Sequence, residues 1–480
     1  MDSSLKHVHL IGVCGTGMGA LASLFLEAGY RVTGSDRAFL PPMGPALVEW
    51  GVETRPGWDP ANLDDDPDLV IIGNVCRPSN PEAQAAIERG LRYLSFPGAM
   101  EEIFLAERKS FVVAGTHGKT TTTSLMTHLL DDLGLNPGYL VGGVLQNAAR
   151  SARLGSKDAP FAIEGDEYDC SFFEKSPKFW RYRPWGAILT SIEHDHIDIY
   201  PDEASYLEAF AGFIERMDPS GILVAWAGDA RVREIAKRAQ CRVRFYALEG
   251  DDYGDVSPVW LAAPVRSQAG AQPFDLYVGG TYCGRIAAPL FGEHNIRNTV
   301  AAMALVAEGA DQPLRELIRG VQRFPGVRRR QELLAEIAGI RVYDDFAHHP
   351  TAVRETIRSM RMRHPESRVL AAFEPRSATA SRRLHQAEYP SAFKQATLSL
   401  LAPVGRPEIA DDEKLDVNAI VTAIQATGGV AEAPPDVDSL IARLVEEARQ
   451  GDTILLMSNG SFGGIYDRLL AALVKAKVLL

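Results

Sequence analysis

Short runs rich in Val, Ile and Leu alternate with longer stretches of helical periodicity along most of the chain. HVHLIGV from His7, YRVTGSD from Tyr30 and DLVIIGN from Asp68 read as strands, with a helix through Leu21–Ala28 between the first two. FAIE from Phe161, WGAILTSI from Trp185 and GILVAWA from Gly221 continue the series. GIRVYDD from Gly339, SRVLAAFEP from Ser367, ATLSLLAP from Ala396 and DTILLMSNG from Asp452 close it. Strands that are apolar throughout are covered on both faces, so the alternation predicts an α/β fold with mostly parallel sheets between helices. The rhythm falls into three blocks, expected as domains over residues 1–108, 109–325 and 326–480. Open sheets of this kind bind ligands at the carboxyl ends of their strands. The residues just past each apolar run are therefore the informative ones.

Composition narrows the picture. A chain of 480 residues that is 46% hydrophobic has material for several cores. Its formal charge of −12 argues against nucleic acid as a partner, because phosphate backbones need basic patches. Five cysteines (Cys14, Cys76, Cys170, Cys241, Cys283) stand apart with no CxxC pair, which predicts reduced thiols. Val8–Leu26 has no Asp, Glu, Lys or Arg and superficially resembles a secretory leader. Gly12, Gly15, Gly17 and Gly19 oppose that reading, since they penalise the leader's helix. With no other long apolar stretch, a cytoplasmic protein with no membrane partner is expected.

The strongest chemical signal is VVAGTHGKTTTT from Val112. An apolar run stops at Gly115-Thr116-His117-Gly118-Lys119-Thr120-Thr121, and a helix-competent segment follows. Backbone N–H groups of a glycine turn and a helix N-terminus aim positive partial charge at phosphate. Lys119 adds a full charge, and Thr120 or Thr121 a hydroxyl for Mg2+. Val113 stands where the usual phosphate loop has its first glycine, so the strand–loop–helix context carries the reading. Two further strands run into Glu164-Gly165-Asp166-Glu167 and Glu193-His194-Asp195-His196-Ile197-Asp198. Carboxylates beside a phosphate cradle suit Mg2+, which takes a few protein oxygens plus nucleotide phosphates. The alternatives for the second cluster are a charged turn or a zinc site using His194 and His196.

Other patterns are more open. His294-Asn295-x-x-Asn298 precedes the helical run Thr299–Ala307 and could cap it or hold a base. Arg328-Arg329-Arg330 is either a solvated linker or a source of charge for a transferring phosphoryl group. Asp344-Asp345-Phe346-Ala347-His348-His349-Pro350 follows a strand, and one of its members could be a helix N-cap. Gly12–Gly19 lies between the first strand and helix, with Gly34-Ser35-Asp36 after the second strand. That resembles a dinucleotide fingerprint, and a nucleotide-sugar fits it as well as NAD. Two diphosphate loops and no GxSxG elbow suggest activation of an acid by ATP, which needs positioning and charge stabilisation.

Taken in order, these motifs resemble the Mur ligases, the ATP-dependent amide-forming enzymes of peptidoglycan synthesis. The resemblance implies a Rossmann-like N-terminal domain for the UDP-sugar and a P-loop ATPase-like central domain. It implies a Rossmann-like C-terminal domain that brings the peptide and closes over ATP. Lys119 and Thr120 would hold phosphates, with the rest of the Gly115–Thr121 loop around them. Thr120, Glu164 and His196 would hold Mg2+; His294, Asn295 and Asn298 would surround adenine, and Asp345 the ribose. Arg329 or Arg330 would face the γ-phosphate. Gly15, Gly17, Met18 and Asp36 would cradle UDP, and His348, Arg376 and Asn459 would serve the acceptor. The implied partners are UDP-N-acetylmuramate and the murein tripeptide, handled by a monomer or weak homodimer. Glu374-Pro375-Arg376-Ser377 and Ser458-Asn459-Gly460-x-Phe462-Gly463-Gly464 favour the branch that couples a preformed tripeptide over the one that couples L-alanine. A nucleotide-regulated sensor is the alternative of another class.

Overall fold

The computed structural model describes residues 5–477 apart from 149, 198, 267–270 and 407–408. Asp198, the last residue of the second acidic cluster, therefore lies outside the described residues. Three sheets follow one another along the chain. The first joins β1 (His7–Ile11), β2 (Arg31–Asp36), β3 (Glu53–Pro56), β4 (Leu69–Ile72) and β5 (Tyr93–Ser95) in the order 3-2-1-4-5. All four of its pairings are parallel. Val8–Leu26 supplies β1 and most of the helix Thr16–Glu27, both largely buried.

The second sheet has β6 (Ser110–Ala114), β7 (Gly138–Leu140), β8 (Ala152–Arg153), β9 (Phe161–Gly165) and β10 (Pro184–Leu189). It continues with β11 (Ile222–Trp226), β12 (Arg242–Leu248), β13 (Trp260–Pro264), β14 (Gln272–Val278) and β15 (Thr281–Ala288). The order is 15-14-13-12-11-10-6-9-7-8. β6 lies between β10 and β9, parallel to both, and every residue of it is buried. β13, β14 and β15 pair antiparallel, the last two through a Gly279-Gly280 turn with positive φ at both positions.

The third sheet joins β16 (Glu332–Ile337), β17 (Ile340–Asp345), β18 (Val369–Phe373), β19 (Leu398–Leu401), β20 (Ala431–Glu432) and β21 (Thr453–Met457). Its order is 16-17-21-18-19-20, with only the β16 edge antiparallel. Buried apolar clusters line both faces of the central strands, as their unbroken apolar runs require. Phe172 and Phe173, which follow β9, pack against the core of the first sheet, Phe173 edge-on to Tyr93 at 5.2 Å. No helix among the described residues is long and apolar enough to cross a membrane.

Candidate active site

The phosphate loop leaves the carboxyl end of β6 and enters the helix Lys119–Asp132. Gly118 is its N-cap at φ +83°, and no side chain caps it among the described residues. A Cβ at Gly118 would stand 2.5 Å from Asn298 Oδ1, so the turn requires glycine there. The end of β10 holds the loop from the side. Thr116 N donates to Ser191 O at 2.8 Å, and Thr190 Oγ1 donates to His117 O at 2.6 Å.

Because β9 and β10 flank β6 in parallel, their acidic ends arrive at the same edge. Lys119 Nζ donates to Glu167 Oε2 at 3.0 Å and to Gly115 O at 2.6 Å. His196 Nε2 lies 3.0 Å from Glu167 Oε1. Burial works against the Lys119 ammonium, but Glu167, Asp166 and Glu164 outweigh it and hold its pKa above the usual lysine value. Burial likewise opposes ionisation of Glu167, and Lys119 and His196 overcome it, lowering the carboxyl's pKa. His196 is raised on balance: burial lowers it, while Glu167 and Asp195 raise it by more. Its backbone, at φ +56°, is left-handed, a costly conformation for a non-glycine residue that its setting over-determines.

Glu164 takes a different environment. Its Oε1 accepts from Gly142 N at 2.6 Å and its Oε2 from Thr120 Oγ1 at 3.2 Å. Burial raises its pKa against the pull of Gly142 N–H, Arg330 and Lys119. Thr120 and Glu164 thus present hard oxygen donors side by side, while His196 is turned toward Glu167. His194 contacts Tyr200 O at 2.9 Å while His196 faces Glu167, and among the described residues neither joins a metal-ligating group as the zinc alternative requires.

The helix expected to start at Thr299 begins at Glu293, behind Gly292. His294, Asn295 and Asn298 therefore sit on its first turns rather than capping it. Asn298 Nδ2 donates to Asn295 Oδ1 at 3.2 Å, and Asn295 Nδ2 to Phe291 O at 2.8 Å. His294 Nδ1 is buried without a hydrogen-bond partner among the described residues, and burial lowers the ring's pKa to about 3.

Arg328 is exposed, but Arg329 and Arg330 are not a solvated linker. Arg330 Nη2 donates to Thr120 Oγ1 at 3.0 Å, facing the phosphate loop. Arg329 turns the other way, to Asp344 Oδ2 at 3.1 Å and to the carbonyls of Ser458 and Gly460 at 2.7 and 2.8 Å. Asp345, at the end of β17, accepts from the N–H groups of Gln331 and Ala347, both at 2.8 Å. His349 is the N-cap of the helix Pro350–Arg363, and its Nδ1 accepts from Thr351 N at 3.3 Å. His348, whose pKa burial lowers to about 4, sits beside it.

One cavity of about 1350 Å3 joins these parts. Its lining includes Gly15, Gly17 and Met18 from the first sheet's loop, the whole Thr116–Thr121 turn, and Ser377, Thr379 and Asn459 from the third sheet. Asn459 Oδ1 is buried there without a hydrogen-bond partner among the described residues. Asp36 and Arg376 lie outside the lining. Asp36 instead shapes the N-terminal loop, accepting from Cys14 N at 2.9 Å. Arg376 packs beside Gly405 and Gly460.

Comparison with known proteins bears on this geometry. Residues 7–108 match the model described as Mur ligase family, catalytic domain. Residues 113–306 match the Mur ligase middle domain, and 329–460 the Mur ligase, glutamate ligase domain. The UDP-N-acetylmuramate--L-alanyl-gamma-D-glutamyl-meso-2,6-diaminoheptandioate ligase of Escherichia coli (strain K12) is 35% identical over 98% of each chain. This chain belongs to the Mur ligase family. It is also 35% identical to the UDP-N-acetylmuramate--L-alanine ligase of Kineococcus radiotolerans, over 95% of this chain and 94% of that one. The crystal structure of a murein peptide ligase from Psychrobacter arcticus 273-4 superposes with a TM-score of 0.72 at 32% identity, covering 98% of both chains.

In this Mur ligase two cavity-lining residues, Glu193 and Asp195, and Glu167, buried behind the lining, fall outside the candidate set drawn from the sequence. Glu167 partners both Lys119 and His196, although it was legible only as one carboxylate in a run. Glu193 bonds His117 at 2.6 Å and receives Thr351 Oγ1 at 2.9 Å. Asp195 receives Thr379 Oγ1 at 2.6 Å. Their position just past β9 or β10 was the available signal; their partners Thr351 and Thr379, far along the chain, carried none.

Proposed function

We propose that this Mur ligase uses ATP to join the lactyl carboxylate of UDP-N-acetylmuramate to the free α-amine of L-alanyl-γ-D-glutamyl-meso-diaminopimelate, in the cytoplasmic recycling of peptidoglycan. The observation that carries the reading is the single cavity onto which a phosphate loop, a second glycine turn and the strand ends of the third sheet all open. At about 1350 Å3 it exceeds the roughly 300–1,000 Å3 of an ordinary small-molecule pocket and suits three ligands meeting. The carboxylate oxygen attacks the γ-phosphorus of ATP, the bond to the β,γ-bridging oxygen breaks, and ADP leaves as the acyl phosphate forms. The amine attacks that carbonyl, and the tetrahedral intermediate collapses to the amide with loss of phosphate.

In this reading residues 1–108 hold the UDP-sugar, 109–325 hold ATP, and 326–480 bring the peptide and close over the nucleotide. The Gly118 turn and Lys119 hold the phosphates. The hydroxyl of Thr120 and the carboxylate of Glu164, adjacent and oxygen-only, fit Mg2+ sharing its remaining positions with phosphate and water. His196 steadies Glu167, which in turn sets Lys119. Arg330, already on Thr120, is our candidate for the charge that develops at the γ-phosphate. The unpartnered His294 Nδ1 supports a base contact, and the unpartnered Asn459 Oδ1 supports a donor from the peptide.

L-Alanine is the second reading, favoured by the equal 35% identity to a relative named for that reaction. Supplying purified protein with UDP-N-acetylmuramate, ATP and either amine separates the two. Higher kcat/KM for the tripeptide supports the proposal, and preference for free L-alanine overturns it. ADP release in the absence of either the acid or the amine, at the full rate, supports a sensor instead.

A further inference from the structure

His117, Glu193 and His349 come together from three separate places. His117 is in the phosphate loop, Glu193 lies just past β10, and His349 caps the helix that follows β17. Their ligating atoms all lie within 4.8 Å of one another. Glu193 Oε2 is 2.6 Å from His117 Nε2 and 3.8 Å from His349 Nδ1, and the two imidazole centroids are 4.9 Å apart. The other carboxylate oxygen is held from outside by Thr351 Oγ1 at 2.9 Å, as an outer-shell donor orients a ligand.

A second observation concerns His349. Its side chain is 3% exposed, yet among the described residues Nε2 has no hydrogen-bond partner, and Nδ1 has the long bond from Thr351 N with Glu193 Oε2 at 3.8 Å. A buried imidazole left this poorly satisfied is costly unless something else engages it. The neighbouring ring of His385, edge-on at 4.5 Å, has its own Nε2 unpartnered.

We infer that His117, Glu193 and His349 form a binding site for a divalent metal of the zinc class, separate from the Thr120–Glu164 pair and bridging the second and third sheets. Two imidazoles and one carboxylate are a set of three ligands that leaves a fourth position open. Imidazole nitrogen suits Zn2+ and Co2+, whereas Mg2+ prefers an oxygen shell. Since His349 belongs to the third sheet's region and the other two ligands to the second's, the bound ion ties these two regions together.

The test is titration of Co2+ into Mg2+-free, full-length protein, read by its visible ligand-field absorption and reversed by Zn2+. The inference expects one Co2+ per chain with a four-coordinate spectrum. Glu193→Gln and His349→Asn should each weaken binding by more than about tenfold. Asparagine keeps an N-cap oxygen, so that variant retains the helix start. Glu164→Ala should leave Co2+ binding unchanged, which separates this site from the proposed Mg2+ site whatever becomes of the latter. No absorption at metal excess, undiminished binding in His349→Asn, or loss of binding in Glu164→Ala each overturns the inference.

Discussion

Lys119 Nζ sits 3.0 Å from Oε2 of Glu167, a carboxylate whose side chain has 0% exposure. The phosphate-gripping lysine is therefore set by a buried counter-charge on the neighbouring strand end, with His196 on the carboxylate's other oxygen. Glu167→Ala removes the one carboxylate bonded to this ammonium and leaves it only the charges of Asp166 and Glu164. It should lower unfolding free energy by about 3–5 kcal/mol, measured by urea denaturation.

The same pair sets a pH dependence. Glu167 has a lowered folded pKa, so its stabilisation is present above its unfolded value and is lost as pH falls through the lower folded one. His196 has a raised pKa, so its share is complete below its unfolded value near 6.5 and fades as pH rises through the folded value. The stability gap between the wild type and His196→Gln should thus shrink on raising the pH from about 6 toward 9. A gap that widens over that range contradicts the assignment.

Arg329 and Arg330 are adjacent but do different work. Arg330→Ala should lower kcat by about 10²–10³-fold with the fold retained, since it removes the guanidinium that faces Thr120. Arg329→Ala should act mainly on stability, because that side chain ties Asp344 to the Ser458 and Gly460 carbonyls. Steady-state kinetics with a melting curve for each variant reads the difference.

The strand-by-strand alternation was readable in the sequence because buried parallel strands are apolar without interruption; all ten runs quoted above form strands. The antiparallel flap β13–β15 was missed. Gln272–Val278 and Thr281–Ala288 mix polar and apolar residues, and the Gly279-Gly280 turn between them was the overlooked hairpin signal. The helix starts at Glu293, ahead of the Thr299 expected, because His294 and the asparagines have weak helix propensity, which packing overrides. In the site, residues adjacent to strand ends were found. Contacts such as Thr379 to Asp195 or Thr351 to Glu193 join positions more than 150 apart, and no local pattern encodes them.

That Thr379 contact predicts a substrate effect. The hydroxyl donates to Asp195 Oδ1 at 2.6 Å and both side chains are buried, so Thr379→Val removes a charge-assisted hydrogen bond between the second and third sheets. A loss of about 1.5–3 kcal/mol of closure corresponds to roughly a 10- to 150-fold higher KM for the amine. The KM for UDP-N-acetylmuramate should change far less.

Gly118→Ala forces a Cβ to 2.5 Å from Asn298 Oδ1 at a left-handed φ. Affinity for ATP, read by calorimetry, should fall at least tenfold with secondary structure unchanged. Gly134→Ala, also at positive φ but with open space around it, serves as the control and should bind ATP normally.

The claim on which the rest stands is that the terminal phosphoryl group of ATP passes to the acid before the amide forms. Turnover of UDP-N-acetylmuramate labelled with 18O in its lactyl carboxylate tests this directly, by mass spectrometry of the released phosphate. The account predicts one 18O in each phosphate formed. Phosphate free of label, alongside normal amide formation, contradicts it.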